Sequence, residues 1–523
     1  MMALFNRILA AVMVMFLSAA CSKNNEDDKP ASDPWDSMSD ITVSKIAVYD
    51  GKPCLEVDGK PFAVYGAQIR VDIFRSVDKM DWSGIEKYFA AAKELGLNCV
   101  QVPCPWAFLE PKEDQYDYET IDKILEFAVK YGVKVELLWF STNFIGDSYS
   151  WLVPTYILSK PALRLKRTGE GDMHYLYGYT YSIKFDDEWL LMREKLAVCK
   201  LFGHIRWWDE NNGGTHPVIS CQVHNEPDAL VRWRLDEKSI SWTDGTKLTK
   251  QEAWAMTLTA LDEVGKAVKG SRYKVATRTN IISGNGVKDF PQTPGISPKD
   301  VFALEGIDFV SYDPYMTSVN SLAYEVSQYA SLEGNYPLVA ENRGDFANSP
   351  SLMLAVSALG GGYDIYDLAT SPTIKRVSAP PFNTEGILDS DLTPKPHTAA
   401  TKLMIKGLVA AADQVAVTPT EDFAAFNIRT DNPEKNLVQT ISTTGATFRF
   451  QTSSSAVGFA LDRGSRIYAY STAEATLTVT NGRLEGNDAG VVLLEPGKLY
   501  EFGFVSSGKT ASTTRQNIGT KFK

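Results

Sequence analysis

Apolar and polar positions alternate along most of the chain in a pattern typical of alternating strands and helices. From Phe62 onward, short apolar or β-branched runs are separated by longer segments with apolar residues every three or four positions, the spacing of one helix face. Such alternation predicts a parallel sheet. The predicted strands are residues 62–66, 98–102, 134–139, 218–224, 273–277, 307–311, 338–340 and 362–366. We therefore expect an α/β fold, a (β/α)8 TIM barrel, over residues 62–412.

The regions on either side of this barrel have a different pattern. From about Gln414, Thr, Val, Phe and Ser alternate in short runs separated by turns such as Asn481-Gly482. This pattern predicts a small all-β, sandwich-like domain over residues 413–507. Residues 41–61 are expected to form short N-terminal strands, and residues 508–523 form a polar tail.

The N-terminus has the features of a secretion signal. Arg7 precedes an apolar run over residues 8–17, and small residues lead to Cys21. We expect a signal peptide at 1–20, with Cys21 lipidated because the site resembles that of bacterial lipoproteins. A tether is expected over 21–40, and its polar, acidic run at 22–28 resembles the signal that exports Bacteroidetes lipoproteins to the cell surface, although an ordinary solvated linker is the alternative. The protein would then be secreted and lipid-anchored to the bacterial outer membrane, facing the cell surface or the periplasm.

Composition excludes several classes of protein. The 523 residues, 44% of them hydrophobic, can bury large cores, and a net charge of −11 argues against binding to nucleic acid. Without Cys21, five of the six cysteines remain, and an odd number cannot form a complete disulfide framework. The Cys and His residues show no zinc-like spacing, so we predict no metal and no cofactor. The sequence leaves the oligomeric state open.

Two glutamates follow directly after predicted strands. Glu226 ends the fourth strand and Glu341 ends the seventh. Strand ends of a barrel form its catalytic face, and two carboxylates in one pocket are the minimum equipment for glycosidic bond cleavage. Because alternate strand positions share a face, we expect Gln222 and His224 on the same side as Glu226, with Asn225 on the other. The sequence therefore predicts a glycoside hydrolase.

Several segments resemble the retaining β-glycosidases of glycoside hydrolase families 35 and 42, which belong to clan A. Gln222-Val-His-Asn-Glu226 is similar to their acid/base segment Gln-Val-Glu-Asn-Glu, and Pro337-Leu-Val-Ala-Glu341-Asn-Arg343 resembles their nucleophile strand. Further matches lie at 96–102, 106–111, 115–118 and 137–140, and the resemblance extends over about 62–408. It is closer to the β-galactosidase-type barrels of family 35. His224 and Pro227-Asp228 depart from that pattern, which puts galactose specificity in doubt.

The resemblance implies roles for further residues. Glu341 would be the nucleophile and Glu226 the acid/base of a retaining hydrolysis. Asn225 would hold the sugar 2-hydroxyl, Arg70 would pair with Glu341 and keep it ionised, and Tyr312 could hydrogen-bond the nucleophile. A structural ion pair for Arg70 and a packing role for Tyr312 are open alternatives. The remaining candidates are rings that could stack on sugars or belong to the core, and weaker polar ligands: Trp106, Trp139, Tyr363, Asn143, Asp313 and Arg343.

A Tyr-rich insertion at 141–184 follows the third strand. Loops after barrel strands lie on the catalytic face, so we expect it to wall the pocket and favour exo action on an oligosaccharide or polysaccharide. An inert surface insertion is the alternative. The leading prediction is a retaining exo-acting β-galactosidase-like hydrolase. The alternatives are a clan-A β-glycosidase for glucosides or mannosides, a non-catalytic glycan-binding surface lipoprotein, and a structural surface protein that interacts through its β domain.

Overall fold

The structure is a computed structural model of the protein. It describes residues 32–141, 152–163, 166–167, 171–172, 183–184, 186–229, 231, 240–241, 248–282, 286–289, 295–373, 385–429, 437–487 and 489–507. The predicted signal peptide, Cys21, the polar tail after 507, most of the Tyr-rich insertion and Asn143 lie outside these residues. Residues 1–39 and 40–523 are two separate units, and everything that follows concerns the second.

The strands are β1 (Ile41–Thr42), β2 (Ser44–Tyr49), β3 (Lys52–Val57), β4 (Lys60–Phe62), β5 (Tyr65–Ala67), β6 (Cys99–Pro105), β7 (Lys134–Phe140), β8 (Lys166–Arg167), β9 (Gly171–Asp172), β10 (Val218–Val223), β11 (Ile240–Ser241), β12 (Tyr273–Lys274), β13 (Ala276–Ile282), β14 (Phe309–Asp313), β15 (Val339–Arg343), β16 (Tyr363–Tyr366), β17 (Phe423–Ile428), β18 (Val438–Ser442), β19 (Thr447–Thr452), β20 (Ala456–Asp462), β21 (Arg466–Ser471), β22 (Ala475–Thr480), β23 (Gly482–Leu484), β24 (Val491–Leu494) and β25 (Tyr500–Ser506).

The α-helices of the described residues are α1 (Val71–Ser76), α2 (Trp82–Leu95), α3 (Trp106–Leu109), α4 (Glu119–Tyr131), α5 (Thr155–Leu158), α6 (Glu188–Asn211), α7 (Lys250–Lys269), α8 (Pro298–Phe302), α9 (Val319–Ala330), α10 (Ser349–Ala358), α11 (Thr398–Ala410) and α12 (Ala412–Val417). Local chemistry fixes their ends. The carboxylate of Asp81 caps α2 by accepting from the Gly84 N–H at 2.8 Å, and Gly96 ends the helix with φ 87°.

Eight parallel strands form the predicted barrel. Their order is β5-β16-β15-β14-β13-β10-β7-β6, which places consecutive barrel strands side by side. A parallel bridge between Gln68 and Gln101 joins the first strand to the second. Helices α2, α4, α6 and α7 lie in the positions that the apolar spacing predicts. The prediction of a (β/α)8 TIM barrel is therefore confirmed.

The fifth barrel strand lies further along the chain than its predicted position. Residues Tyr273–Lys274 pair with Ile41–Thr42 outside the barrel, and the barrel strand is β13, Ala276–Ile282. A polar run, Thr277-Arg278-Thr279-Asn280, hides this strand from an apolar pattern search. The shift brings Asn280 to the carboxyl end of the barrel, where the sequence analysis placed no residue of this strand.

The C-terminal region is all β, as predicted. A five-stranded sheet, β17-β20-β21-β25-β23, and a four-stranded sheet, β18-β19-β22-β24, are built from antiparallel pairs. They share a core that includes Phe426, Phe448 and Phe450. Phe423 and Tyr470 belong instead to the core cluster of the barrel, so the two regions pack through shared apolar side chains.

The described cysteines Cys54, Cys99, Cys104, Cys199 and Cys221 are free thiols. None of the helices in the described part of the chain has the length and apolar character needed to span a membrane.

Candidate active site

Glu341 lies on β15 at the carboxyl end of the barrel, and two neutral side chains hold its carboxylate. The Gln68 amide donates to Oε1 at 3.1 Å, and the Tyr315 hydroxyl donates to Oε2. Gln68 and Glu341 are buried, whereas the Tyr315 side chain is 37% exposed. A carboxylate held at both oxygens, beside a partly exposed tyrosine, is an oriented group at the carboxyl end of the barrel.

Glu226 follows β10 in an unusual backbone conformation. The strand ends at Val223, and both His224 and Glu226 have positive φ, 60° and 44°. The alternation of faces predicted for Gln222, His224 and Glu226 therefore stops before the glutamate and is wrong. Instead, the Gln222 amide donates to Asn225 Oδ1 at 3.0 Å.

Asn280 and Asp228 attach this segment to the fifth barrel strand. The Glu226 N–H donates to Asn280 Oδ1 at 2.9 Å, and the Asn280 amide donates to Asn225 Oδ1 at 2.9 Å. Two residues further on, Asp228 Oδ1 accepts from the Ile282 N–H at 3.2 Å. Pro227-Asp228 departs from the family 35 pattern, and Asp228 anchors this segment to β13.

Asp313 ends β14, between the strands that lead to the two glutamates. Its Oδ2 accepts from Asn280 at 2.7 Å, while its buried Oδ1 has no hydrogen-bond partner among the described residues. Burial raises the pKa of Asp313 well above its usual range, and the charges of Glu341 and Glu226 raise it further. Both glutamates therefore act on the same buried group, which places their charges around one site.

Opposing effects set the ionisation of Glu341. Burial raises the pKa of its carboxyl above the ordinary value. The hydrogen bond from Tyr315, the positive charge of Arg70, the Gln68 amide and the charge of Arg278 all lower this pKa. The effect of burial is larger than the sum of these opposing effects, so Glu341 takes up a proton at higher pH than an exposed glutamate does.

Arg70 forms its ion pair with Asp72. Its Nε and Nη2 donate to the Asp72 carboxylate at 2.9 and 2.7 Å, and Nη1 donates to the Tyr366 hydroxyl at 3.1 Å. The ion pairs among the described residues do not include the predicted direct pair with Glu341, so that detail is corrected. Arg70 still acts on Glu341 through its charge.

Acidic and basic groups surround the eighth strand at the same end of the barrel. Burial raises the pKa of Asp367 to about 6 and that of Glu385 to about 8. The charge of Glu341 raises both pKa values further, and the charge of Asp367 also raises the pKa of Glu385. The Arg343 guanidinium lowers the pKa of Glu385 and forms a bidentate pair with Asp345 at 3.0 and 2.6 Å. Arg343 thus lies near the candidate site but is committed to an ion pair.

A hydrogen-bonded cluster fills the barrel beneath Glu341. The Gln101 amide donates to Asp364 Oδ2 at 2.8 Å and to the Ala340 carbonyl at 3.1 Å. Cys99, Glu136 and Asp364 bring possible metal-ligand atoms within 4.8 Å of one another. Arg278 Nε lies 3.3 Å from Glu136, so a guanidinium already supplies positive charge to this cluster.

Four ring assignments need correction. Trp106 and Trp139 are fully buried and pack against each other, with ring centroids 6.2 Å apart. Their indole N–H groups donate to buried carboxylates, Glu110 at 2.8 Å and Glu194 at 2.9 Å. Buried rings of this kind offer no face to a sugar, so their role is packing.

The tyrosines Tyr363 and Tyr312 are also core residues. Tyr363 is fully buried on β16. Tyr312 is fully buried and stacks on Tyr329, with ring centroids 4.2 Å apart and planes 4° apart. The tyrosine that hydrogen-bonds Glu341 is Tyr315, in the same Tyr-Asp-Pro-Tyr segment. In-strand Tyr312 packs away from the pocket, whereas Tyr315 follows the strand end and turns with φ 47°.

His224, which stands where the family 35 pattern has Glu, joins a buried network. Its Nε2 lies 2.8 Å from Glu194 Oε1, and Ser141 and Trp139 donate to the same oxygen. The pKa of Glu194 is lowered, since His224 and these donors outweigh the desolvation that raises it. His224 therefore supports the segment before Glu226 from the side of α6.

Sequence reasoning missed three groups: Gln68, Tyr315 and Asn280. Gln68 directly follows the first strand, the same signal that selected Glu226 and Glu341. Tyr315 could have been found as the second tyrosine of its segment. Asn280 had no signal once the fifth strand was placed too early.

Two family models match parts of the chain. Residues 54–138 match Glycosyl hydrolases family 35, which confirms the resemblance to that family for this part of the barrel. Residues 256–433, which contain Asn280, Asp313, Tyr315 and Glu341, match Domain of unknown function (DUF4978). Glu226 lies between the two matched segments.

Among solved structures, the chain is similar to an exo-beta-1,4-mannosidase from Opitutaceae bacterium strain TAV5, at 14% identity over 70% of this chain and 62% of that one, with a TM-score of 0.47. It is similar to a beta-galactosidase from the psychrophilic Marinomonas ef1, at 14% identity over 68% and 62% of the two chains, with a TM-score of 0.48. An endo-1,4-beta-mannanase from Rhizomucor miehei matches at 14% identity over 71% and 99%, with a TM-score of 0.46. No curated protein matches the chain. At such identities and TM-scores, the likeness does not bear on the substrate of this protein; what relates the chain to glycoside hydrolases is the family 35 match over 54–138.

Proposed function

We propose that the protein is a retaining glycoside hydrolase that cleaves β-linked glycans. The observation that carries this proposal is the oriented carboxylate of Glu341, held by Gln68 and Tyr315 at the barrel end where Glu226 also lies. Paired carboxylates on this face are the equipment of retaining glycosidases. The family 35 match over residues 54–138 supports the same class.

In this mechanism, Glu341 attacks the anomeric carbon and forms a glycosyl-enzyme. Glu226 first donates a proton to the leaving oxygen and then takes one from the attacking water. Asn225 accepts from Gln222 and Asn280 through Oδ1, which orients its side chain, and we assign this side chain to bind the sugar 2-hydroxyl. The Tyr315 hydrogen bond favours the ionised form of Glu341 and orients its carboxylate before attack.

The finer features of the proposal come from the sequence. A β-galactoside-type substrate follows from the family 35 resemblance, and exo action follows from the Tyr-rich insertion after the third strand. Lipid anchoring at Cys21 would bring the enzyme to polysaccharide at the cell surface or in the periplasm. Mannosides and glucosides are the alternative substrates, because His224 and Pro227-Asp228 differ from the family 35 pattern.

Turnover of a panel of aryl β-galactosides, β-glucosides, β-mannosides and β-xylosides by the purified protein tests the class. We expect one or more to be cleaved, with retention of the anomeric configuration in the first product seen by NMR. Glu341→Gln should reduce turnover to background, whereas Glu113→Gln, at an exposed position outside the site, should not. Binding of glycans without turnover of any substrate would instead support the non-catalytic alternative.

A further inference from the structure

The side chain of Asn280 makes three hydrogen bonds at the candidate site. It accepts from the Glu226 N–H through Oδ1 at 2.9 Å, and its amide donates to Asn225 Oδ1 at 2.9 Å and to Asp313 Oδ2 at 2.7 Å. Asn280 is fully buried on a central barrel strand. Each of these bonds joins β13 to a group in or beside the proposed chemistry.

The segment that Asn280 holds is strained. His224 and Glu226 both have left-handed backbone conformations, which residues with a side chain seldom adopt. Such conformations persist when the surrounding structure over-determines them. The carboxyl side of the segment is tied to the same strand through Asp228 and the Ile282 N–H, at 3.2 Å. Contacts with β13 therefore hold the backbone at Glu226 and the side chain of Asp228.

The hydrogen-bonding partners determine which way the Asn280 amide faces. A backbone N–H requires an acceptor, and the Asn225 and Asp313 oxygens require donors. An asparagine satisfies both demands in one orientation. A leucine satisfies neither, and an ionised aspartate would place a second oxygen against two acceptors.

We propose that Asn280, locked in orientation by Asp313, is the positioning residue that sets the geometry of the acid/base Glu226 and of Asn225. The inference rests on the proposed function, since it assigns a role to a residue that touches neither carboxylate of the reaction. Asn280 acts before substrate binds: by accepting from the Glu226 N–H, it holds Glu226 where the carboxyl proton can reach the leaving oxygen. The Gln222 amide gives Asn225 a second support, at 3.0 Å.

Leaving-group dependence distinguishes this role from a general structural one. A misplaced acid penalises substrates whose leaving group needs a proton and spares those whose leaving group does not. For Asn280→Ala we expect kcat/KM to fall about 100-fold on phenyl glycosides and no more than about 10-fold on dinitrophenyl glycosides. Here kcat should fall for both, because Glu226 also serves as the base for the second step.

Asn280→Asp and a reciprocal double variant test the orientation of the amide. At neutral pH, Asn280→Asp should lose more kcat/KM on phenyl glycosides than Asn280→Ala, and should regain activity as the pH falls and the new carboxyl gains a donor. Combining Asn280→Asp with Asp313→Asn restores the hydrogen bond between positions 280 and 313 in the reverse direction, since the new amide at 313 can donate to the new carboxylate at 280. We expect the double variant to recover about 10-fold over Asn280→Asp alone.

Asn335→Ala is the matched control. Asn335 is also a fully buried barrel asparagine, and it accepts from the Val310 N–H at 2.7 Å near the start of β14. Its loss should lower the melting temperature while leaving the ratio of kcat/KM for phenyl and dinitrophenyl substrates within about 2-fold of the wild-type ratio.

The outcomes separate the inference from the proposed function. A wild-type protein that cleaves no aryl glycoside contradicts the proposed function and the inference with it. If the wild type is active but Asn280→Ala lowers kcat/KM by the same factor on phenyl and dinitrophenyl glycosides, the inference alone is overturned. If Asn280→Ala does not fold, the reciprocal double variant decides: recovery over Asn280→Asp supports the inference, and no recovery overturns it.

Discussion

The phenolic hydroxyl of Tyr315 donates a hydrogen bond to Oε2 of Glu341, while the ring of Tyr315 is more than a third exposed. The second donor to this carboxylate, Gln68, is neutral as well. Glu341 is thus held by two neutral partners, and the cation that lowers its pKa most, Arg70, is itself paired with Asp72. A buried carboxylate in such surroundings has a raised pKa, and this has consequences for the pH dependence of the reaction.

Replacing Tyr315 by Phe removes a donor to the ionised form of Glu341. Because that hydrogen bond lowers the pKa of Glu341, its loss raises this pKa further. The nucleophile must be ionised, so we expect the acidic limb of kcat/KM against pH to move to higher pH. At the optimum, kcat should fall about 100-fold, because the carboxylate loses a partner that orients it for attack. The pH–rate profile with an aryl glycoside measures both.

Tyr312→Phe is the matched control for this variant. It also removes a phenolic hydroxyl from this segment, but the Tyr312 hydroxyl has no hydrogen-bond partner in the described structure. We expect its acidic limb to coincide with that of the wild type. A limb that moves equally in both variants would contradict the assignment of Tyr315 to Glu341.

Gln68→Met should act on Glu341 in the same direction. It removes the donor to Oε1 while keeping a side chain of similar length, so the pKa of Glu341 rises and the acidic limb again moves upward. Gln68 also donates to Gln101 at 3.3 Å, beneath the nucleophile. An acidic limb at lower pH than in the wild type would show that Gln68 favours the protonated form of Glu341.

The sequence predicted most of the barrel but only part of the site. Glu226 and Glu341 were identifiable because each directly follows an apolar run, and the barrel places such positions on one face. Asn280 was missed because the apolar signal at Tyr273 belongs to a short strand outside the barrel. The sequence left open whether Trp106 and Trp139 stack on sugars or belong to the core, because composition does not distinguish a buried indole from one that stacks on a ligand. Their buried partners, Glu110 and Glu194, lie in other segments and become neighbours only on folding.

Removal of the acid/base should separate the two steps of the proposed reaction. In Glu226→Ala, the first step should survive for dinitrophenyl glycosides, since their leaving group needs no proton. The second step lacks its base, so kcat should fall by about 100-fold or more. Azide needs no base and fits the space left by the carboxylate, so it should restore turnover and give a glycosyl azide with retained configuration.

The same azide experiment with Glu341→Ala provides the contrast. An anion in the nucleophile's place attacks the substrate directly and gives a glycosyl azide of inverted configuration. An inverted azide from Glu226→Ala and a retained azide from Glu341→Ala would instead show that the roles assigned to Glu226 and Glu341 are reversed.

The buried pair of Glu136 and Asp364 should make the stability of the barrel depend on pH. Burial raises the pKa of Asp364 well above its usual range, and the charge of Glu136 raises it further, while Arg278 and the Gln101 hydrogen bond lower it. The folded protein therefore holds this proton more tightly than the unfolded chain does. The stability that Asp364 contributes is complete below its unfolded pKa of about 4 and is lost as the pH rises through the folded pKa.

Asp364→Asn should abolish this dependence, because its amide can donate to Glu136 at every pH while its oxygen still accepts from Gln101. Between the unfolded and folded pKa values, one bound proton makes the wild-type free energy of unfolding fall by about 1.4 kcal/mol per pH unit. In urea unfolding from pH 5 to 8, the free energy of unfolding of the variant should rise relative to that of the wild type by up to this amount per pH unit. Asp413→Asn, at an exposed position, should run parallel to the wild type. If Asp364→Asn also runs parallel, Asp364 is already ionised at pH 5 and the buried pair does not share a proton.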